Sequence, residues 1–354
     1  MPESLRPLLA SGGLRRVLLG PALVVLVAGG FAATAPNAYK LAVGVNIAVA
    51  AIAAMGLTMA VGGAGQLALG QAGFMAIGAY AVAVLTRGSE SFPFLAALLI
   101  AVVLASVAGL VVGYIALRLK GNYLAMATLA TAMIIHALLL IDGPLGGPSG
   151  LAAIPAPSIA GYEFIDPMAQ FLLVAVALVA CYLVAQLVTV SRFGRELRAL
   201  RDDEVAAQSV GVNITRRKIQ IFTLSAAFGG LAGGLLASIQ SAIDPALFNS
   251  NVSIQLLVMA VIGGLGQPLG AILGAGVIQW ITQSIPSAGD WALTVLGVVV
   301  VLMMAFVPKG FAGLGAMLTS LRARAKRRSG RSDPDRSPTR TGDPDSASVL
   351  EEVA

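Results

Sequence analysis

Apolar runs of membrane-crossing length recur along almost the whole chain, and no other feature constrains its fold as strongly. A helix needs about 20 apolar residues to cross the hydrocarbon core of a bilayer. Runs of this kind occupy 17–36, 41–61, 66–86, 93–117, 122–141, 168–190, 220–240, 253–265, 268–284 and 292–308. Only 11% of the 354 residues are charged, against about 25% in a soluble domain. The reading is an all-α, polytopic membrane helix bundle of about eight to ten crossings, with both termini cytoplasmic. The stretch 253–284 is too long for one crossing. Its interruption at Gly263-Gly264-Leu265-Gly266-Gln267-Pro268 predicts two crossings or a re-entrant turn. The glycine-rich segment 62–72 predicts a broken helix.

The distribution of charge fixes the orientation. With the N-terminus inside and ten crossings, the cytoplasmic segments hold 21 of the 23 Lys and Arg residues, leaving only Lys40 and Arg87 outside. The predicted extracytoplasmic loop 142–166 has no Lys or Arg but carries Asp142, Glu163 and Asp166. That asymmetry is the positive-inside pattern, and it accounts for the net charge of +6 without nucleic acid. Arg15-Arg16 ahead of an apolar stretch imitates a cleaved signal peptide. Removing that segment, however, leaves an odd number of crossings and spoils the charge count. Three parts follow: a cytoplasmic N-terminus over 1–16, a transmembrane domain over 17–320, and a polar tail over 321–354. The tail cannot bury a core and is expected to be disordered, its basic cluster touching anionic membrane lipid.

No Asp, Glu, Lys or Arg lies deep in any predicted span. Such groups mark proton relays and ion pathways, so their absence argues against a proton-driven device. His136 is expected to bond a neighbouring helix. The neutral polar residues Asn46, Gln66, Gln71, Tyr80, Asn122, Gln255 and Gln279 must each face another helix or a watery cavity. The glycines around Gln66 and Gln71 single out Asn46, Gln66, Gly70, Gln71 and Tyr80 as a candidate translocation pathway, since broken backbone is tolerated where it lines a cavity. Gly109 with Gly113, the doubled Gly229-Gly230 and Gly233-Gly234, and Gly266, Gly270 and Gly274 have the four-residue spacing of close helix packing. There is no phosphate-binding G-x-x-x-x-G-K-[ST] loop and no metal-ligand cluster. One His and one Cys, His136 and Cys181, leave little for a catalytic triad. The residues argue for a transporter rather than an enzyme, with energy from an ion gradient or from another subunit.

One stretch breaks the apolar pattern. In the cytoplasmic segment 191–219, Arg195, Glu196, Arg198, Arg201, Asp202, Asp203 and Glu204 crowd into ten positions. Four-apart pairs such as Arg198–Asp202 predict a helix. Ala206 and Ala207 followed by Gly211 give a small-residue face that fits a partner's groove.

The sequence "GRELRALRDDEVAAQSVGVN" (194–213) resembles the cytoplasmic coupling loop of permease subunits of ABC importers, most of all the branched-chain amino-acid class. "GQLALGQAGFMAIGAY" (65–80), "RLKGNYLAMATLA" (118–130), "GGPSGL" (146–151) and "AVIGGLGQPLGAILGA" (260–275) also resemble segments of that family. Together they cover roughly residues 40–310. The resemblance implies a bacterial inner-membrane subunit paired with a second, related permease. Two ATP-binding subunits would dock on the coupling helix, and an extracytoplasmic binding protein would deliver the solute. Arg198, Arg201, Asp203, Glu204, Ala206, Ala207 and Gly211 are then the expected ATPase-coupling residues. ATP and Mg belong to the partner subunits, and no cofactor is expected on this chain. Where this sequence has Gln71 and Leu145, members of the family often have His and Thr, so no role for an imidazole or hydroxyl carries over. Relatives that carry urea or short amides leave those solutes as an alternative cargo. A self-contained ion-coupled transporter is the alternative from another class.

Overall fold

The computed structural model describes residues 13–34, 37–88, 92–116, 119, 121–159, 161–284 and 297. The predicted N-terminal residues 1–12, nearly all of the predicted crossing 292–308 and the tail 321–354 lie outside the described residues. The described helices are α1 (Gly13–Thr34), α2 (Ala38–Ala64), α3 (Gln71–Arg87), α4 (Phe94–Ala116), α5 (Asn122–Leu139), α6 (Pro167–Val190), α7 (Arg192–Asp202), α8 (Glu204–Ser209), α9 (Ile214–Gln240), α10 (Ser250–Gly263) and α11 (Pro268–Ser284). Among them α2, α4, α5, α6 and α9 are long and apolar enough to cross a membrane. The chain is an all-α polytopic membrane protein.

Small side chains decide who packs where. The centre of the bundle is α2, whose Ala50, Ala51, Ala53, Ala54 and Gly56 are buried. It packs against α6, α9, α10 and α11. In α4 the residues turned inward are Ala97, Ala101, Ala105, Gly109 and Gly113, every fourth position, whereas Leu99, Val103, Val107 and Leu110 face outward. Lipid is as apolar as leucine, so bulk gains nothing by facing inward and close backbone approach decides the interface. The predicted glycine packing is present. A methyl on Gly233 would fall on the carbonyl oxygen of Met75, one on Gly109 on the Cβ of Ala226, and one on Gly274 on the carbonyl oxygen of Met259. Gly263 and Gly270 exclude a side chain from each other in the same way.

Two helices are discontinuous, as the glycines predict. The run 66–86 does not start a helix at 66. After α2 ends at Gly65, whose φ of +67° turns the chain, residues 65–70 are extended and α3 begins only at Gln71. Gln66, Ala68 and Gly70 are buried while Leu67 is exposed, the alternation of extended chain. The broken ends are satisfied by neighbours, as a low-dielectric setting demands. The Leu69 amide donates to Thr128 Oγ1 over 2.9 Å, and the Ala72 amide donates to Ser253 Oγ over 3.0 Å. Ser253 lies in the first turn of α10, so the starting turns of α3 and α10 meet inside the bundle. The stretch 253–284 divides at Gly264 into α10 and α11, joined by a tight turn at 264–267. α10 is only about 21 Å long and cannot span by itself.

The loop 142–166 holds structure that the hydropathy reading does not anticipate. A 3-10 turn at Gly147–Ser149 leads to β1 (Leu151–Ala152), and β2 (Ser158–Ile159) pairs with β3 (Tyr162–Glu163). β1 pairs antiparallel with β4 (Ala242–Ile243), just after α9. The β1–β4 ribbon comes from tertiary pairing between segments about 90 residues apart in sequence, which no local pattern encodes, whereas β2–β3 is a local hairpin. They lie at the end of the bundle opposite α7 and α8.

Candidate functional site: a charged platform and a broken-helix core

The charged segment 191–219 forms α7, α8 and the first turns of α9 in place of one helix. Ser191 caps α7 by accepting from the Gly194 amide. Leu197 and Leu200 are buried beneath it. Asp203 ends α7 and starts α8: its Oδ1 accepts from the amides of Val205 and Ala206 at 2.8 and 3.0 Å. This is N-cap chemistry. α8 then turns into α9 at Gly211, whose φ of +84° strains any residue with a Cβ.

The arginines of this segment do not point away from the membrane domain. Arg198 donates from Nη1 to the Thr189 carbonyl at 2.9 Å, and Arg201 from Nη1 to the Gly62 carbonyl at 2.8 Å. Those carbonyls belong to the last turns of α6 and α2, where the helix dipole favours a cation. The expected Arg198–Asp202 pair is replaced by Arg201–Asp202, because Arg198 is occupied by α6. Glu196 pairs with Arg217 and Glu204 with Lys218, both partners lying on α9. The charges that the sequence assigns to a partner's groove are mostly used to seat α7 and α8 on their own bundle.

Among the exposed charged and polar residues of the segment stand bare apolar side chains. Val205 is 77% exposed and Val210 76% exposed, with Ala206 exposed between them, while Ala207 is buried. Val205 and Val210 carry no charge and are not glycines, and so are not among the coupling residues expected from the sequence. Their signal was an apolar pair flanking the two alanines.

The polar residues of the core separate into two groups. Gln71 is buried and bonded on both ends: Nε2 donates to the carbonyls of Ala53 and Ser225 at 3.1 Å each, and Oε1 accepts from Ser225 Oγ. It therefore ties α3 to α2 and α9. Gly70 lies against the Thr128 carbonyl. The Gln66 carboxamide is buried without a hydrogen-bond partner among the described residues, as is the Tyr80 hydroxyl, whose ring packs edge-on against Phe248. His136 Nδ1 is likewise buried and unpartnered there, in contrast to the expected interhelical bond. Asn122 is exposed at the start of α5. Asn46 instead lines a cavity of about 360 Å³ with Gln240, Gln255, Gln279 and Gln283. Sequence reasoning missed Gln240 and Gln283 because they end their apolar runs, where glutamine reads as interfacial. Among the described residues no three His, Cys, Asp or Glu side chains gather as metal ligands.

Discontinuous helices meeting within a glycine-packed bundle, above a charged helical platform, define a multi-pass membrane protein with permease architecture. Comparison with known proteins specifies which. The family described as branched-chain amino acid transport system / permease component matches residues 40–308, and the chain belongs to it. It is 36% identical over 283 residues to the high-affinity branched-chain amino acid transport system permease protein LivM of Salmonella typhimurium, and equally to that of Escherichia coli. Each alignment covers 73% of this chain and 66% of the relative, so the chain spans just under two thirds of the length of these curated relatives. A probable branched-chain amino acid transport permease protein LivH of Methanocaldococcus jannaschii is 30% identical over 151 residues, covering 42% of this chain and 46% of that protein. No solved structure matches.

Proposed function

We propose that this chain is a non-catalytic permease subunit of an ABC importer in the bacterial inner membrane, and that its cargo is branched-chain amino acids. It pairs with a second, homologous permease to form the pathway. Two ATP-binding subunits, which carry the ATP and Mg, dock on α7 and α8. An extracytoplasmic binding protein delivers the solute to the end that carries the β-ribbons. The cargo reading rests on the family and on the names of the relatives.

The observation that carries the docking assignment is the bare apolar face of α8. Val205, Ala206 and Val210 are exposed on a helix end that is otherwise pinned by Asp203, by the Glu204–Lys218 pair and by buried Ala207. A rigid element presenting unpaired apolar side chains to water is how a protein interface core begins. The arginines behind it connect the platform to α2 and α6. A push on α8 therefore reaches the break at 65–70 through Arg201 and Gly62.

The test is co-purification. The chain is expressed with its neighbouring genes, and the ATP-binding subunit is sought with the wild type and with Val205→Asp. Retention by the wild type and loss by the variant, with membrane insertion unchanged, supports the reading. Absence of any ATPase from the wild-type assembly overturns it in favour of an ion-coupled transporter.

A further inference from the structure

A groove of about 780 Å³ runs between α1, α2, α6 and α11. It follows one stripe of α2, from Lys40 through Gly44 to Ala48, and one stripe of α11, from Trp280 through Gly276 to Leu269. At 1.5 Å per residue the α11 stripe is about 17 Å long, so the groove lies along the helix axes. Its side is open, with Val27 59% and Leu273 45% exposed. Among the described residues that line it, Lys40 alone is not apolar.

One end of the groove carries side chains of interfacial type. The Tyr39 hydroxyl donates to the Gln283 carbonyl at 3.1 Å, which brings the start of α2 beside the end of α11. Lys40 and Trp280 therefore stand at the same end, and Tyr39 and Trp280 are both at least half exposed. It is the end opposite the α7–α8 platform, which grips the last turn of α2 through Arg201. In membranes Tyr and Trp rings gather at headgroup level, and a lysine near a helix end reaches for the same layer. The groove thus starts among headgroups and descends into hydrocarbon.

We infer that this groove binds one anionic phospholipid, with an acyl chain along α11 and the phosphate on Lys40. Two features identify the occupant. An apolar void that opens sideways into acyl chains is filled by one, because empty space forfeits dispersion contacts. Lys40 makes no ion pair with a described residue, and no acid lines the groove among them. The charge at the mouth therefore calls for an anion carried by the same molecule as the chain. The site depends on the membrane bundle alone, whatever the cargo and whichever subunits dock.

The full chain with its co-purifying subunits is reconstituted in phosphatidylcholine nanodiscs containing a photoreactive lipid, with a diazirine on the acyl chain. The headgroup is phosphatidylglycerol or phosphatidylcholine. Cross-links on residues 269–281 are mapped by mass spectrometry and normalised to those at Leu99 and Val103, which face outward on α4. The anionic probe should exceed the zwitterionic one about fivefold in the groove, the ratio given by about 1 kcal/mol for one basic residue at a membrane surface. Lys40→Gln should bring the two probes level, and Lys40→Arg should keep the preference. A Cβ on Gly276 would meet only Ile47, at 4.0 Å, so Gly276→Leu enters the groove without strain and should cut cross-linking of both probes there. Equal normalised yields in the wild type, or a preference unchanged in Lys40→Gln, overturns the inference. So does an absence of groove cross-links, which would show that protein covers this face.

Discussion

Arg201 of α7 donates from Nη1 to the carbonyl oxygen of Gly62 in the last turn of α2, at 2.8 Å. That bond joins the α7–α8 platform to the helix at the centre of the bundle. It lies three residues ahead of Gly65, where the chain leaves α2 for the extended segment. A cation on a helix C-terminus is favourable, but the side chain is 42% exposed, which limits the bond to about 1 kcal/mol.

Arg201→Ala should therefore leave folding and ATPase association intact and weaken the link between hydrolysis and uptake. A loss of about 1 kcal/mol is roughly a fivefold shift in a conformational equilibrium. Uptake per ATP hydrolysed, measured in proteoliposomes, should fall by about that factor. Arg201→Lys should recover part of it, because an ammonium can still reach one carbonyl. Unchanged coupling in the alanine variant would falsify this route of transmission.

Glu204 is held by Lys218 on α9. Glu204→Lys sets two ammonium groups against each other and lifts α8 from its seat, so ATPase co-purification should be lost. Glu204→Gln keeps a hydrogen-bonding oxygen and should retain most of it. Equal loss in both would mean that the carboxylate itself, rather than the seating of α8, is what the partner reads.

The glycine contacts predict a sharp contrast in stability. Gly233→Ala places a methyl on the Met75 carbonyl oxygen and must force α3 from α9, whereas a methyl on Gly88 or Gly29 meets nothing. Overpacking of this kind costs about 1–3 kcal/mol. Thermal unfolding in detergent should show a clear fall for Gly233→Ala and none for Gly88→Ala.

Gln71 makes three hydrogen bonds that no other residue supplies. Gln71→Leu should lower stability by about 1–2 kcal/mol, given the modest worth of interhelical bonds in membranes. Gln71→His offers fewer donors at this junction and should fall between. A thermal midpoint for Gln71→Leu equal to wild type would show that these bonds are matched by alternatives in the unfolded membrane state.

Much of the architecture is legible in one dimension because hydropathy acts over whole segments. The run 268–284 coincides with α11, and 93–117 and 168–190 lie within a residue of α4 and α6 at each end. The breaks after Gly65 and at Gly264 are visible as glycine clusters. The site is less legible. Arg198 and Arg201 read as outward-facing charges, because nothing local says that the ends of α2 and α6 will stand beneath them. Gln71 reads as a pathway residue, and its partners Ala53 and Ser225 lie on two other helices.

The sequence by itself determined that this chain is a helical membrane bundle, which end carries the basic charge, and where its helices break. Those properties follow from transfer energies and backbone freedom, which belong to residues and short segments. Only the tertiary structure decided which amides are satisfied and which are free, and which face of the charged segment is left bare. Hydrogen-bond satisfaction and exposure depend on what distant segments bring to the same place. Gln71 and Gln255 are the same residue type in similar apolar runs; one is bonded across α2 and α9, and the other borders a cavity.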